Sequence, residues 1–429
     1  MQRRCFLQSM ALPALAWTAV GRSAMAASGT ADSPVLPGQR RLVVVFLRGA
    51  IDGLSVVAPY TEPAYHQQRP DLALAPPGQD DGLLDLDGHF GLHPQLAPLM
   101  PLWQSGKLAF VHASGSPDPT RSHFDAQDYM ESGTPGVKST PDGWLNRLLG
   151  AGLPTAQPTG RRDGTTRALS LGTTLPRIWA GPHPVANLPT GTRALKPAPL
   201  DRRPVGTAFD ALYAGDDAMS EAYRRSRQSR EELRQAIGTV SMDSEQMAAD
   251  NGAPPPSGFA ADASRLGRLM RRDPQVQLAF AALGGWDTHL NQGAAKGQLA
   301  NRLQQLGHGL SELVKAMGPV LDDSTILIMS EFGRTARQNG TMGTDHGHGN
   351  VMWALGGRVA GGKVYGRWPG VDPTALHEGR DLAVTTDFRQ VLAGVCASGL
   401  GLPDARLAEV FPGFTGTPLH LTRNGRYRG

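Results

Sequence analysis

Residues 325–350 read TILIMSEFGRTARQNGTMGTDHGHGN. Ile326-Leu327-Ile328-Met329 is a short unbroken apolar run, which predicts a strand buried on both faces of a parallel sheet. The run stops at Ser330-Glu331, so a carboxylate stands at the C-terminal end of a core strand, where open α/β sheets place their ligands. A Gly-rich loop follows and carries Asp345, His346 and His348 within four residues. Carboxylates and imidazoles are the donors that a divalent metal or a general acid/base site requires.

Working outward, the same arrangement recurs. Leu42 to Leu47 (LVVVFL) predicts the first central strand and ends in RGAIDG, which puts Asp52 just beyond it. Asp-Gly is also a turn dipeptide, and taken alone Asp52 reads as a turn former. Leu108 to His112 (LAFVH) predicts a second strand, followed by a Ser/Gly/Pro loop and a helix over Phe124 to Glu131 that Gly133 ends. Ser122 falls at the start of that helix. It caps the first turn, with Asp125 completing a box-like arrangement, or it is a hydroxyl in the positive field that favours an alkoxide, phosphate or sulfate. Val276 to Leu283 (VQLAFAAL) predicts a third strand and ends in GGWDTH, with Asp287 and His289 just past it. Four buried strands thus deliver catalytic residue types at one sheet edge, as a two-metal or metal-plus-nucleophile hydrolase needs.

Between these strands the pattern predicts helices over His93 to Gln104, Ala208 to Ile237, Ala261 to Arg271, Gln298 to Met317 and Asp387 to Gly399. A strand is expected at Ala168 to Leu171. Val351 to Leu355 and Lys363 to Tyr365, around Gly356-Gly357 and Gly361-Gly362, suggest a hairpin-like pair. The chain of 429 residues, with 53 glycines and 34 prolines, is long enough for a large core and rich in turns.

The first 26 residues read as an address rather than as fold. Arg3-Arg4-Cys5-Phe6-Leu7-Gln8 is a twin-arginine pattern, followed by a mild apolar segment and by Ala24-Met25-Ala26, an A-x-A-like cleavage site. The apolar segment is too short for a stable membrane anchor. The expectation is export through the twin-arginine (Tat) translocon, folded, to the periplasm or beyond. The formal charge of +4 includes Arg3, Arg4 and Arg22 and falls to +1 without residues 1–26, which hold no other charged side chain. A nearly neutral chain offers no electrostatic case for nucleic acid. Cys5 leaves with the signal, so Cys396 stands alone in an apolar helical run, and reads as a packing residue.

The motifs GAIDGL (49–54), SHFDAQDYMESG (122–133), GGWDTH (284–289), SEFGRT (330–335) and TDHGHGN (344–350) resemble those of a widespread Tat-exported bacterial family of uncharacterised proteins, one that carries a domain of unknown function. That family is similar to the alkaline phosphatase/sulfatase superfamily. The resemblance implies an alkaline-phosphatase-like three-layer α/β sandwich around a mainly parallel sheet, as one domain over 27–429 with a helical insertion or cap near 205–270. It implies Asp52 as a first metal ligand, Ser122 with His123 at the nucleophile position, Asp287 and His289 as a ligand pair, and His346 or His348 as a distal ligand. Glu331 and Asp345 join the candidate ligands, and Arg334 either meets an anionic substrate or pairs with Glu331. Two departures stand out. Asp287 and His289 are separated by one residue where the phosphatase pair is wider, and Glu331-Phe332 stands where the superfamily carries Asp-His. The expected function is hydrolysis of small anionic phosphate or sulfate esters with zinc, manganese or calcium. The alternative is an exported binding or assembly protein that kept the fold without the chemistry, its partner left open.

Overall fold

A computed structural model describes residues 38–154, 167–191, 211–215, 217, 220 and 249–423. The expected signal segment at 1–26, most of the helix expected over 208–237 and most of the expected 205–270 insertion lie outside these residues.

The continuous apolar runs form the centre of one sheet. Its strands, among the described residues, are β1 Arg41–Leu47, β2 Leu108–Gly115, β3 Ala168–Leu171, β4 Ala186–Leu188, β5 Leu278–Leu283, β6 Ser324–Ser330, β7 Asn350–Leu355, β8 Lys363–Tyr365 and β9 Thr386–Asp387. They lie in the order β8-β2-β7-β6-β1-β5-β3-β4, with β9 also paired to β2. β7 runs antiparallel to β2 and β6, and every other pairing is parallel. The expected hairpin is therefore corrected. β7 and β8 do not pair with each other but flank β2 on opposite sides, Leu355 opposite Leu108 and Lys363 opposite Ala109. Glycines at 356–357 and 361–362 carry the chain across the end of β2, which sequence alone reads as a tight turn.

Helices cover both faces: α1 His123–Ser132, α2 Trp144–Gly150, α3 Phe259–Arg272, α4 Gln298–Met317 and α5 Phe388–Gly394. Strand side chains alternate between the two faces. Val43, Val45 and Leu47 of β1 share one core with Phe259, Leu266, Leu303 and Leu310 of α3 and α4. Leu42, Val44 and Phe46 share the other with Trp144 and Leu148 of α2 and Phe388 and Leu392 of α5. The result is the expected three-layer α/β sandwich. In α4 the buried Leu299, Leu303, Leu306, Leu310, Leu313 and Met317 recur at three- and four-residue spacing, the stripe that faces a core. The helix expected over 93–104 splits into a 3-10 turn, Pro94–Leu99, and a short α-helix, Met100–Gln104. Pro98 and Pro101 each lack the N–H that a continuous helix would use. The last helix opens on a capping box made by Asp387 and Gln390 and widens into a π turn over Val395–Gly399. Cys396 is buried there and its thiol is pushed up by that burial.

Two buried histidines in this framework make the fold acid-sensitive. His93 Nδ1 accepts from the Gln95 amide at 3.2 Å and His112 Nδ1 accepts from the Ala113 amide at 3.0 Å. Their Nε2 atoms face the carbonyls of Ala294 and Val57. Each ring is thus locked neutral, and burial lowers both from about 6.5 to about 4. The unfolded chain takes up these protons near pH 6.5 while the folded one refuses them until about pH 4. Stability is full above pH 6.5 and falls on acidification, by up to ~3 kcal/mol per histidine. Urea midpoints at pH 7.5 and 4.5 should show this loss, and His93→Asn, which keeps an acceptor for the Gln95 amide, should remove part of it. An unchanged pH dependence in the variant would refute the assignment.

Candidate metal centre

Because β1, β2, β5 and β6 are mutually parallel in direction, their C-terminal ends share one edge. Each strand hands a different segment to that edge. β2 leads through a loop to Ser122 and His123 at the start of α1, β5 to Asp287 and His289, and β6 to Glu331 and the 333–349 loop. β1 leads to Gly49-Ala50. Gly49 has φ +108° and a Cβ there would lie 2.8 Å from the Asp287 amide nitrogen, so only glycine lets the two turns meet this closely. Ala50 holds a left-handed φ of 59°, a costly conformation for a residue with a side chain.

Three imidazoles and one carboxylate converge. His346 Nε2 lies 3.0 Å from both His123 Nε2 and His289 Nε2. Asp287 Oδ1 is 3.0 Å from His289 Nε2 and 3.3 Å from His346 Nε2, and its Oδ2 is 3.7 Å from His123 Nε2. The opposite ring nitrogens are all committed: His123 Nδ1 to Glu331 Oε1 at 2.8 Å, His289 Nδ1 to Asp345 Oδ1 at 3.2 Å and His346 Nδ1 to the Arg121 carbonyl at 3.0 Å. A carboxylate or a carbonyl only accepts, so each Nδ1 carries the hydrogen. In the neutral rings the His346 Nε2 lone pair therefore faces those of His123 and of His289, each across 3.0 Å. That arrangement is repulsive unless protons or a cation occupy the space between them.

The protonation equilibria show the same pressure. Burial opposes a charge on His123, yet bonds to Asp287 and Glu331 lift it from 6.5 to about 9. His289 is raised chiefly by its bond to Asp287. Burial would raise Asp287, but hydrogen bonds from the three histidines and the charge of Arg334 hold it far below the usual carboxylate range. Glu331 is fully buried, and His123, with its bond and its charge, outweighs that burial and keeps it low. His123, Asp287 and His346 by themselves bring three ligand atoms within 4.8 Å of one another. Imidazole nitrogens backed by Nδ1–H···O bonds, together with one carboxylate oxygen, form a donor set that fits a divalent transition ion.

Placement differs from expectation for several residues. Glu331 and Asp345 stand behind His123 and His289 rather than inside the cluster. Gly49 N and Gln127 Nε2 also bind Glu331, at 2.8 and 3.0 Å. Asp52 is corrected outright as a ligand. It is fully buried and both its oxygens are taken up by donors, Arg69 at 2.6 and 3.0 Å, Ser55 at 2.7 Å and Gln292 at 2.7 Å, with Arg69 as its counter-charge in place of an ion. His348 is corrected too. Its Nε2 faces the Ser116 carbonyl at 2.9 Å, its ring lies against His377, and burial lowers its basicity. Arg334 neither pairs with Glu331 nor faces a substrate. It is buried and gives its hydrogens to Asp287 at 2.5 Å and to the carbonyls of Gly49, Ala50, Trp286 and Thr344. Ser122 is the exposed N-cap of α1, and its hydroxyl makes no capping bond.

His123 was grouped with the nucleophile because it lies beside Ser122, and the structure puts it among the candidate ligands. Arg121, Gln127 and Asp250 carried no sequence signal. Asp250 accepts from the Gly285 amide at 2.6 Å, and burial pushes it up to about 6. It is brought to this edge by chain segments far apart in sequence.

These features define an α/β protein with a candidate metal centre at the C-terminal edge of a mainly parallel sheet. The chain belongs to a family described as a protein of unknown function (DUF1501), which matches residues 98–411 and so spans all four converging residues. No curated protein matches the sequence. Several solved structures are similar at low identity. The zinc complex of the C-terminal periplasmic domain of EcEptC from Escherichia coli is 9% identical over 76% of this chain and 74% of that one, with a TM-score of 0.34. The lipoteichoic acid synthase LtaP from Listeria monocytogenes is 8% identical over 75% and 66%, with a TM-score of 0.31. The PsFucS1 sulfatase from Pseudoalteromonas sp. is 13% identical over 76% and 64%, with a TM-score of 0.34. At these scores the functional reading is carried by this chain's own residues.

Proposed function

We propose that the protein is an exported, metal-dependent hydrolase of small phosphate or sulfate esters. The observation that carries this reading is the convergence of His123, His289 and His346 Nε2 on Asp287, each ring held from behind through Nδ1–H. Of the ions considered, zinc suits this donor set best, since calcium takes six to eight oxygens. A bound ion would act as a Lewis acid towards the ester's non-bridging oxygens. Ser122 would supply the nucleophile. Its Oγ is exposed at the N-terminus of a ten-residue helix, beside His123, where the helix field favours both the alkoxide and the bound anion. Its oxygen forms the bond to phosphorus or sulfur, the ester oxygen leaves with a proton, and water then releases the inorganic anion and restores the hydroxyl. Glu331 and Asp345 keep the His123 and His289 rings in one tautomer and one orientation.

The test uses zinc-loaded protein recovered from the periplasmic fraction, the compartment that the twin-arginine pattern addresses. Turnover of p-nitrophenyl phosphate or sulfate is expected, with Ser122→Ala costing roughly 10²–10³-fold in kcat. Full activity in that variant would remove Ser122 from the mechanism. A second reading, an ester-binding or assembly protein without turnover, is favoured by one observation. Arg334, the guanidinium inside the site, is wholly engaged by Asp287 and backbone carbonyls, which leaves it no face for a substrate anion. Zinc-loaded protein that turns over neither ester would point there.

A further inference from the structure

His346 is gripped from two sides by arginines whose own anchor lies outside the cluster. Its Nδ1 donates to the Arg121 main-chain carbonyl at 3.0 Å, and its own main-chain carbonyl accepts from Arg380 Nη2 at 2.9 Å. Both guanidinium groups then close on one buried carboxylate, Asp381, and Arg121 also donates to the exposed Glu378 at 2.7 Å. Arg121 donates to Asp381 through Nε at 3.1 Å and Nη2 at 2.6 Å, and Arg380 through Nε at 2.9 Å and Nη2 at 3.0 Å. Asp381 is fully buried, and its backbone exchanges hydrogen bonds with His377 and bridges to Thr335, beside Arg334.

We infer that Asp381 is a positioning residue for the metal centre: through Arg121 and Arg380 it fixes the ring of His346 so that Nε2 points at Asp287 and the other two imidazoles. This inference deepens the metal-dependent reading and rests on it. Neutralising the wholly buried Asp381 carboxylate would need one cation, yet two arginines meet it, with side chains 30% and 44% exposed, and Arg121 also has Glu378 as a partner at 2.7 Å. What a forked double contact to one rigid acceptor adds is direction. The direction matters at two ligands. The Arg121 carbonyl that accepts from His346 lies two residues before His123, so the same clamp sets the entry of α1 and the start of its ligand. A ligating histidine needs an acceptor fixed behind its free nitrogen, and loosening such acceptors costs about 10–100-fold in metal affinity.

The experiment is zinc titration of the full-length purified protein by competition with a chromophoric chelator, with the visible spectrum of the cobalt(II)-substituted form as a second readout. Asp381→Asn is expected to weaken zinc binding about 10–100-fold and to broaden or shift the cobalt bands. Arg380→Met removes the grip on the His346 carbonyl and half of the clamp on Asp381 while leaving Arg121 in place. It sits at a part-exposed position that tolerates folding, and should weaken binding by a smaller factor, towards the low end of the ~10–100-fold range. A role confined to fold stability would lower the melting temperature of the metal-free protein and leave both readouts unchanged. Wild-type zinc affinity and cobalt bands in Asp381→Asn, or in Arg380→Met should the first variant not fold, would overturn the inference while the metal centre stands. Failure of the wild-type protein to bind zinc would instead remove the metal-dependent reading, and this inference with it.

Discussion

Arg69→Met is expected to lower the unfolding free energy by about 3–5 kcal/mol. Arg69 and Asp52 form a buried ion pair, their side chains 0% and 1% exposed, with two contacts of 2.6 and 3.0 Å. Burial raises the Asp52 carboxyl. The Arg69 charge and the hydrogen bonds from Arg69, Ser55 and Gln292 overcome that and leave it ionised. Without Arg69 the carboxylate keeps two neutral donors in a fully buried site, and must either hold its charge at high cost or take up a proton. The guanidinium also donates to the carbonyls of Ala336 and Thr335 at 2.8 Å each, which hold the chain leaving Arg334. Those two acceptors would be stranded as well. Urea midpoints of the single variant and of Asp52→Leu/Arg69→Met provide the check. Removing both partners eliminates the unpaired charge, so the double variant should recover a good part of the loss. A single variant within about 1 kcal/mol of wild type would mean that the pair is not the keystone it looks.

That pair also shows where sequence reading stops. Asp52, Asp287, His289 and Glu331 lie just past core strands as the sequence predicts, because strand ends follow from apolar runs that need no partner to be recognised. LVVVFL, LAFVH, LAFAAL and TILIMS each became a strand of the sheet, and their common direction brought Asp287, Glu331 and the 345–348 loop to one edge. Which of those residues face inward together depends on pairings between distant segments. Arg69, seventeen residues past Asp52, has no feature to mark it as the partner that withdraws Asp52 from the site. Asp381 is likewise ordinary in sequence, within GRDL, and acquires meaning only when it lies against Arg121, 260 residues away. His346 and His348 are chemically equal in the string DHGHG. The loop pairs Arg334 with His346 in a backbone bridge and turns His348 to the Ser116 carbonyl, so geometry separates them. The misread hairpin has the same origin, since two adjacent strands can be joined across a third without any change in their own composition.

Asp287→Ala should lower zinc affinity about 1,000-fold or more and bring ester turnover to background. Asp287 places its carboxylate oxygens 3.0, 3.3 and 3.7 Å from the Nε2 atoms of His289, His346 and His123. On the proposed metal-dependent reading its removal would take away a direct ligand and the negative charge that would balance the ion, so the loss should exceed the ~10–100-fold typical of outer positions. In free energy a thousandfold change is about 4.1 kcal/mol. Some stability is lost as well, because Arg334 is left as a buried cation, but it still donates to the carbonyls of Gly49, Ala50, Trp286 and Thr344, so zinc affinity is compared on the folded variant. Asp287→Asn sharpens the test. An amide oxygen can still accept from Arg334, so the local hydrogen bonding persists while the charge is lost. If the cluster is a metal centre, both variants lose zinc and His123 and His289 lose the partner that raises them. If Asp287 only balances Arg334 and the histidines, Asp287→Asn will bind zinc as the wild type does, and the three imidazoles will have to be explained as a proton-sharing cluster.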